Sequence, residues 1–266
     1  MQRTKINKLL KSEAPLENVL LKGWVRTRRD SKGFSFLEIN DGSCLKNIQV
    51  IADDALSNYE DIKKLTTGSA VAIQGKLVES QGGGQKWEIS SDQVDIISLA
   101  PETYVLQKKR HSDEFLRSMA HIRPRTNKYG AAFRIRSEMS YATHKFFRDK
   151  GFRYVHTPIL TGSDCEGAGE LFKVTALDLK NIPQKDGKTD YMQDFFGKEA
   201  NLTVSGQLSA EMFCLALGDV YTFGPTFRAE NSNTRRHAAE FWMIEPEMAF
   251  CDLEGNMDLG EELIKY

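Results

Sequence analysis

Short apolar runs separated by turn residues dominate the first hundred positions. Val19 to Val25 is apolar-rich and ends in Gly-Trp-Val, Phe34 to Ile39 follows a Ser-Lys-Gly turn, and Asn47 to Ile51 follows Asp41-Gly42-Ser43. A helical stretch from Asp53 to Leu65 is expected next, then a strand over Ala70–Val78. Gly82-Gly83-Gly84 then turns into Trp87–Ile89 and Val94–Ile97. Three strands, a helix and two strands is the order of a five-stranded OB barrel, whose second and third strands commonly form an oligonucleotide face. Successive side chains of a strand point to opposite faces. Leu37 and Ile39 therefore share one face and Phe34, Phe36 and Glu38 the other; Ile48 and Val50 oppose Asn47 and Gln49. Phe36 and Gln49 fall on the polar faces, where a ring can stack on a base and an amide can pair with its edge. An ordinary surface aromatic fits the same pattern.

Pro101-Glu102-Thr103 marks a boundary, and the basic stretch from Lys108 to Arg125 reads as a hinge with an irregular connection. From Ala131 to Lys150 the apolar residues Phe133, Ile135, Met139, Ala142, Phe146 and Phe147 follow helical spacing, with Gly151 as the stop. Tyr154 to Leu160 reads as a strand. Residues 178–200 are polar and broken by Asn181, Pro183 and Gly187, which predicts an inserted loop or hairpin. Val220–Phe223, Phe227 and Trp242–Pro246 read as sheet, and a helix begins near Asp252 or Leu253.

Composition narrows the classes. Hydrophobic residues make up 40% and charged residues 27%, ordinary values for a globular protein. No apolar run approaches membrane-spanning length, and no secretory leader is expected from the first residues. Cys44, Cys165, Cys214 and Cys251 stand far apart without a CxxC or CxxH pair, so neither zinc nor a disulfide framework is expected; the plain reading is reduced thiols in a cytoplasm. The net charge of −1 hides an asymmetry: residues 105–155 carry 13 Lys/Arg against 4 Asp/Glu, and residues 156–266 carry 9 against 19. A basic middle segment suits a polyanion lying across it. Charge alone does not separate that from a solvated face whose arginines pair with nearby acids.

The chemistry is concentrated in Phe223-Gly224-Pro225-Thr226-Phe227-Arg228-Ala229-Glu230, a polar linker, then Arg236-His237-Ala238-Ala239-Glu240-Phe241 and Glu245-Pro246-Glu247-Met248. This reads as a strand, a loop and a return strand. Arg228 and Glu230, two apart, would share a face beside Phe241. A guanidinium, a carboxylate and an aromatic plate meet the needs of a nucleotide: phosphate contact, polar base contact and stacking. A strand pair held by structural ion pairs explains the same residues.

Phe227-Arg228-Ala229-Glu230 with Arg236-His237 and Glu240-Phe241 resembles motif 2 of the class II aminoacyl-tRNA synthetases, in the form of the aspartyl/asparaginyl/lysyl subgroup. The helix over Phe133–Lys150 and the strand ending at Pro158 resemble motif 1, which builds the dimer interface in that class. The resemblance runs from end to end. It implies an α+β chain: an N-terminal five-stranded OB-fold barrel over residues 1–100 that binds the anticodon, a hinge over 101–128, and part of an antiparallel catalytic sheet flanked by helices over 129–266. By the same resemblance Arg228 would bridge the substrate carboxylate and the ATP α-phosphate and stabilise charge in the transition state. Glu230 would contact the nucleotide, His237 would lie near the pyrophosphate, and Phe241 would stack on adenine. Glu166 would hold the substrate ammonium, with Ser205, Gln207 and Glu211 in the amino-acid pocket. Phe36, Gln49 and Glu88 would read the central uridine of the anticodon, with Arg26, Arg28, Arg29 and Lys32 near phosphates. Arg235 and Arg236 are read either as acceptor-end contacts or as solvated loop charge.

The subgroup's aspartyl members have a loop resembling Ser-Pro-Gln-Leu-x-Lys-Gln, whose Lys pairs with the substrate side chain. Here the run is Ser205-Gly206-Gln207-Leu208-Ser209-Ala210-Glu211. Losing the cation and adding a carboxylate disfavours an acidic side chain and tolerates a neutral amide. The expected substrates are therefore asparagine, ATP and the asparagine tRNA, and the expected partner is a second copy through motif 1. Magnesium would assist pyrophosphate departure, with its ligands and motif 3 expected beyond Tyr266, so no metal ligand is assigned here. The rival readings are a nondiscriminating aspartyl enzyme, a non-catalytic tRNA-binding or dimerisation fragment, and an asparagine-making paralogue, a type that usually lacks the barrel.

Overall fold

The computed structural model describes all residues except Met1, Lys108, Glu166, Ala168, Gly169, Asn233 and Arg235. The chain divides into two compact units, residues 1–136 and 137–266.

In the first unit a one-turn helix α1 (Ile6–Leu9) precedes strands β1 (Leu16–Ser31), β2 (Phe34–Asn40) and β3 (Ile48–Asp53). The short helix α2 (Tyr59–Ile62) comes next, followed by β4 (Ala70–Glu79) and β5 (Trp87–Ser98). The strands close into a barrel in the order β1-β2-β3-β5-β4, antiparallel except for the β3–β5 pair. This is the OB topology expected from the strand order. Alternation decides what fills it: Leu37, Ile39, Ile48 and Val50 are fully buried with Val19, Leu21, Ile73, Leu77 and Ile89, while Phe36 and Gln49 face outward, part-exposed. Ile6 and Leu9 of α1 join this core, and the Asp41 carboxylate accepts the Ile6 amide at 3.1 Å. At Gly75 a Cβ would sit 2.1 Å from the Ser90 carbonyl oxygen, so only glycine lets β4 pass β5 at its register shift.

One expectation for the barrel needs correction. The helix predicted over Asp53–Leu65 is a single turn. Asp53 ends β3 and its carboxylate accepts the Ala55 amide at 2.9 Å, starting a turn instead of a helix. The runs Trp87–Ile89 and Val94–Ile97 both belong to β5, the fifth strand of the barrel. The polar residues between them face outward or bond across the sheet, as Ser91 Oγ does to the Ile51 carbonyl at 2.7 Å.

A helix α3 (Asp113–Ser118), capped by Ser112, leads to α4 (Asn127–Asp149). Helix α4 begins four residues before the predicted start and stops ahead of Gly151, whose φ of 90° suits glycine. In the second unit Phe146 and Phe147 of α4 pack against Phe152, Tyr221 and Phe223, with the Phe147 and Tyr221 rings stacked 4.5 Å apart.

The predicted strand Tyr154–Leu160 is split into β6 (Arg153–Tyr154) and β7 (Leu160–Thr161). Pro158 lacks the N–H that a continuous ladder needs, and the segment passes there from one sheet to another. Strands β8 (Lys173–Val174), β9 (Gln184–Lys185), β10 (Lys188–Thr189) and β11 (Ala200–Leu202) follow; β9 and β10 make the hairpin of the polar insertion. Helix α5 (Gln207–Leu217) then leads into β12 (Asp219–Phe227) and β13 (Glu240–Met248), an unbroken antiparallel pair from Asp219↔Met248 to Phe227↔Glu240. Strand β6 lies parallel to β12, and α6 (Leu253–Lys265) contributes Leu259 to the aromatic core. No helix of the described residues is long and apolar enough to cross a membrane, and all four cysteines are free.

Candidate functional site

Register and alternation build the site on the β12–β13 pair. Thr222 lies opposite Glu245 and Thr226 opposite Phe241. Phe241, Met243, Glu245 and Glu247 therefore share one face of β13, and Trp242, Ile244 and Pro246 share the other. The chain leaves β12 after Phe227, but the Arg228 amide still bonds the Ala239 carbonyl at 3.0 Å. That bond carries the guanidinium over the Phe241 ring, with Cζ 5.5 Å from the centroid. Arg228 Nε is buried and has no hydrogen-bond partner among the described residues. A buried charged donor with no protein acceptor is costly unless a ligand oxygen meets it.

At the other end, the Thr203–Gly206 loop turns into α5 beneath Glu245. Ser205 Oγ donates to Glu245 Oε1, and the Gly206 amide reaches both carboxylate oxygens at 3.1 and 3.2 Å. Glycine is required here: a Cβ at 206 would meet Thr157 Oγ1 at 2.7 Å and Thr222 Cγ2 at 2.8 Å. Gln207 donates from Nε2 to Glu211 Oε1 at 3.1 Å, one turn on. Ala210, where the resemblance places a Lys in aspartyl members, is fully buried against Val155 and Val220 on the side of α5 that faces β12. Thr157, Gly206, Thr222, Thr226 and Glu245 border a cleft of about 160 Å³.

The electrostatics are acidic. Burial raises the Glu247 carboxyl above its ordinary pKa, and the charges of Glu211 and Glu245 push it further. Burial likewise raises the Cys214 thiol, with Glu247, Asp219 and Glu211 adding to it. The sequence reading gave no role to Glu245 or Glu247, although a strand register counted from Phe241 places both on its face.

The structure brings together Arg228 with Phe241, Ser205 with Glu245, and Gln207 with Glu211. It does not gather Glu230 and His237 into contact with them. The strand ends before Glu230, so the predicted Arg228–Glu230 alternation does not apply, and Glu230 is exposed. His237 is exposed and bonds Thr234 within the β12–β13 connection. Glu166 and Arg235 lie outside the described residues. The Glu170 carbonyl accepts the Ala229 amide at 2.8 Å.

A second candidate surface lies on the barrel. Phe36 stands edge-on to Phe34 at 4.9 Å, with the Arg29 guanidinium 4.9 Å from its ring centre. Gln49 and Glu88 are register partners across β3 and β5, and Gln49 Nε2 donates to Glu88 Oε2 at 3.0 Å. The three residues assigned to one base thus come from β2, β3 and β5, with Gln49 and Glu88 in direct contact. Of the basic residues assigned to phosphates, Arg26 donates to the Arg125 carbonyl at 2.6 Å and Arg28 pairs with Asp30 at 3.5 Å. Much of the basic middle segment is also engaged within the protein. Arg123 lies over Tyr129, Arg125 over Trp24, Lys128 pairs with Asp113, and Arg134 donates to the Gly42 carbonyl. Its charge is in good part structural.

Among the described residues no group of three or more His, Cys, Asp or Glu side chains is placed to hold a metal ion.

Comparison with known proteins places these features. Residues 19–97 match the OB-fold nucleic acid binding domain, and residues 112–266 match the tRNA synthetases class II (D, K and N). The chain is 64% identical over 266 residues to the asparagine–tRNA ligase of Nitratidesulfovibrio vulgaris (strain DP4), covering 100% of this chain and 58% of that protein. It is 62% identical over 267 residues to the asparagine–tRNA ligase of Oleidesulfovibrio alaskensis, again covering 100% of this chain and 58% of the relative. The crystal structure of asparaginyl-tRNA synthetase from Pyrococcus horikoshii complexed with asparaginyl-adenylate superimposes with a TM-score of 0.85 at 28% identity, covering 100% of this chain and 57% of that one. The chain thus spans 58% of the length of these curated relatives. With the family match running through the α5–β13 site and the barrel preceding it, this chain belongs to the class II tRNA synthetases of the D, K and N group.

Proposed function

We propose that this chain is the anticodon-reading and motif 1–motif 2 part of an asparagine–tRNA ligase, with the anticodon domain over residues 1–100, a hinge over 101–128 and catalytic residues over 129–266. The whole enzyme would work in two steps. The asparagine carboxylate attacks the α-phosphorus of ATP and expels pyrophosphate; the terminal ribose hydroxyl of the asparagine tRNA then attacks the adenylate carbonyl and expels AMP.

The observation that carries this reading is the orphaned Arg228 Nε beside the Phe241 ring. The guanidinium would clamp the attacking carboxylate and the α-phosphate together and stabilise charge as the bond forms. Phe241 would offer its ring to adenine. Glu230 and His237, exposed on the connection above the site, would reach the nucleotide only on closure over it. Glu166 would take the substrate ammonium.

Choice of the amide follows from charge. Glu245 and Glu247 share the site's face and Glu211 borders it, whereas Ala210 offers no cation. Carboxylates accept hydrogen bonds from an amide NH2 and repel a second carboxylate. Glu245 is held in place by Ser205 and Gly206, which makes it the residue best positioned to do this. ATP would arrive with magnesium, which would aid departure of pyrophosphate; every step assigned above belongs to the chain's own side chains. The partner would be a second copy through α4, where Ile135, Met139 and Tyr141 are more than half exposed, and the location would be the cytoplasm.

ATP–pyrophosphate exchange by the full-length enzyme tests the reading. Exchange stimulated by asparagine far above aspartate supports it; stimulation by aspartate in place of asparagine would favour an aspartyl enzyme, nondiscriminating or not. Tight tRNA binding by this chain without ATP binding would favour the non-catalytic module.

A further inference from the structure

Glu88 sits on the outer side of β5, between the core residues Trp87 and Ile89, yet it is only 4% exposed. What covers it is the loop between β4 and β5. That loop is closed at its base by the Ser80 amide bonding the Lys86 carbonyl at 3.0 Å. Ser80 Oγ donates to Glu88 Oε2 at 2.9 Å, and Gln85 Nε2 reaches both Ser80 Oγ at 3.2 Å and Glu88 Oε2 at 3.3 Å. With Gln49 added, three donors converge on one carboxylate oxygen. Among the described residues no donor reaches the other oxygen, Oε1.

We propose that Gln85 is a positioning residue for base selectivity: by locking Glu88 through Oε2, it leaves Oε1 as a fixed acceptor for the N3–H of uracil. This rests on the reading of the Phe36–Gln49–Glu88 face as the site of the central anticodon base. An ionised carboxylate only accepts, so it dictates that both Gln49 and Gln85 turn their NH2 groups inward. The second hydrogen of Gln49 Nε2 then serves a uracil carbonyl beside N3. Cytosine presents a bare lone pair at N3, which a held carboxylate repels. A carboxylate free to rotate could turn away from that lone pair or accept from the cytosine amino group, and the discrimination would fall. Gln85 supplies the restraint from the loop and needs no contact with the RNA.

The test uses the 266-residue chain and two hairpin RNAs that differ only in uridine or cytidine at the loop centre, with dissociation constants measured for each. Gln85→Ala is expected to lower the preference for uridine by about five-fold or more, on the scale of one hydrogen bond to a charged group. The cytidine hairpin should bind the variant as tightly as the parent or more tightly, and the melting temperature should hold. Gln85→Glu, which sets a second carboxylate against Glu88, is expected to lower the preference at least as far. A parental preference in either variant overturns the proposal, as does uniform weakening of both hairpins at an unchanged ratio, the result for a residue that merely shapes the loop. Phe36→Ala separates this from failure of the underlying reading. If that variant binds both hairpins as well as the parent, or if the parent shows no preference for uridine, the base-reading face itself is wrong, and the role of Gln85 falls with it.

Discussion

The guanidinium carbon of Arg228 lies 5.5 Å from the centre of the Phe241 ring, across two strands whose pairing runs out between them. The contact holds a charged group at the end of β12 while its Nε stays buried without an acceptor among the described residues. Under the proposed function that donor would meet an anionic ligand.

Replacing Arg228 should therefore affect chemistry far more than folding. In the full-length enzyme Arg228→Ala is expected to cut asparagine-dependent pyrophosphate exchange by about a hundred-fold or more, the scale of losing one transition-state donor. Arg228→Lys should recover little, because an ammonium cannot bridge two oxyanions in a fixed plane. The melting temperature should change little or rise. Retention of near-parental exchange in Arg228→Ala would remove this residue from the chemistry.

Glu245 is expected to govern which side chain is accepted. Glu245→Gln keeps the shape but removes the charge that disfavours a second carboxylate. The ratio of asparagine- to aspartate-stimulated exchange should fall by about ten-fold or more, the scale on which polar pockets discriminate. A parental ratio would shift selectivity to other residues.

Gly206→Ala should be destabilising, because the added carbon would lie 2.7 Å from Thr157 Oγ1 and 2.8 Å from Thr222 Cγ2. Overpacking of this kind costs about 1–3 kcal/mol. Urea unfolding should show a lower midpoint for the variant, and exchange should drop as the loop and Glu245 are pushed apart. A parental midpoint would mean the loop has room to move.

Two carboxylates should give opposite pH signatures. Burial alone would raise the Asp41 carboxyl, but hydrogen bonds from Ser43, the Ile6 amide and Arg3 outweigh it and hold the pKa below 3.8. A depressed folded pKa adds stability that is present above the unfolded value and lost as pH falls through the folded one. Asp41→Asn should thus lower the melting temperature at neutral pH, and the gap should close in strong acid. Glu247 is raised above 4.5 by burial and then by Glu211 and Glu245. Its favourable contribution is complete below about 4.5 and disappears as pH rises through the folded pKa. Glu247→Gln should therefore stabilise the protein at neutral pH and lose that advantage near pH 4. Melting curves across this range check both; the same sign for the two variants would contradict the assignment.

Local periodicity along the chain accounts for the parts where a period repeats. Phe36, Leu37, Gln49 and Val50 fall on the faces that alternation predicted, because a strand inverts its side chains at every residue and the barrel admits only one apolar set. The helix through Phe146 and Phe147 follows from the same reasoning at helical spacing, and the aromatic and arginine of the β12–β13 pair were legible from their residue types. Tertiary structure alone decided where elements stop and which acids meet. Pro158 splits a run that reads as one strand, because its two halves join different sheets. Glu230 leaves the face of Arg228 because β12 ends before it. The convergence of Ser205, Gly206 and Glu245, and of Gln49 and Glu88, depends on contacts between distant segments. Such contacts are set by the three-dimensional path of the backbone, and residue periodicity carries no record of that path.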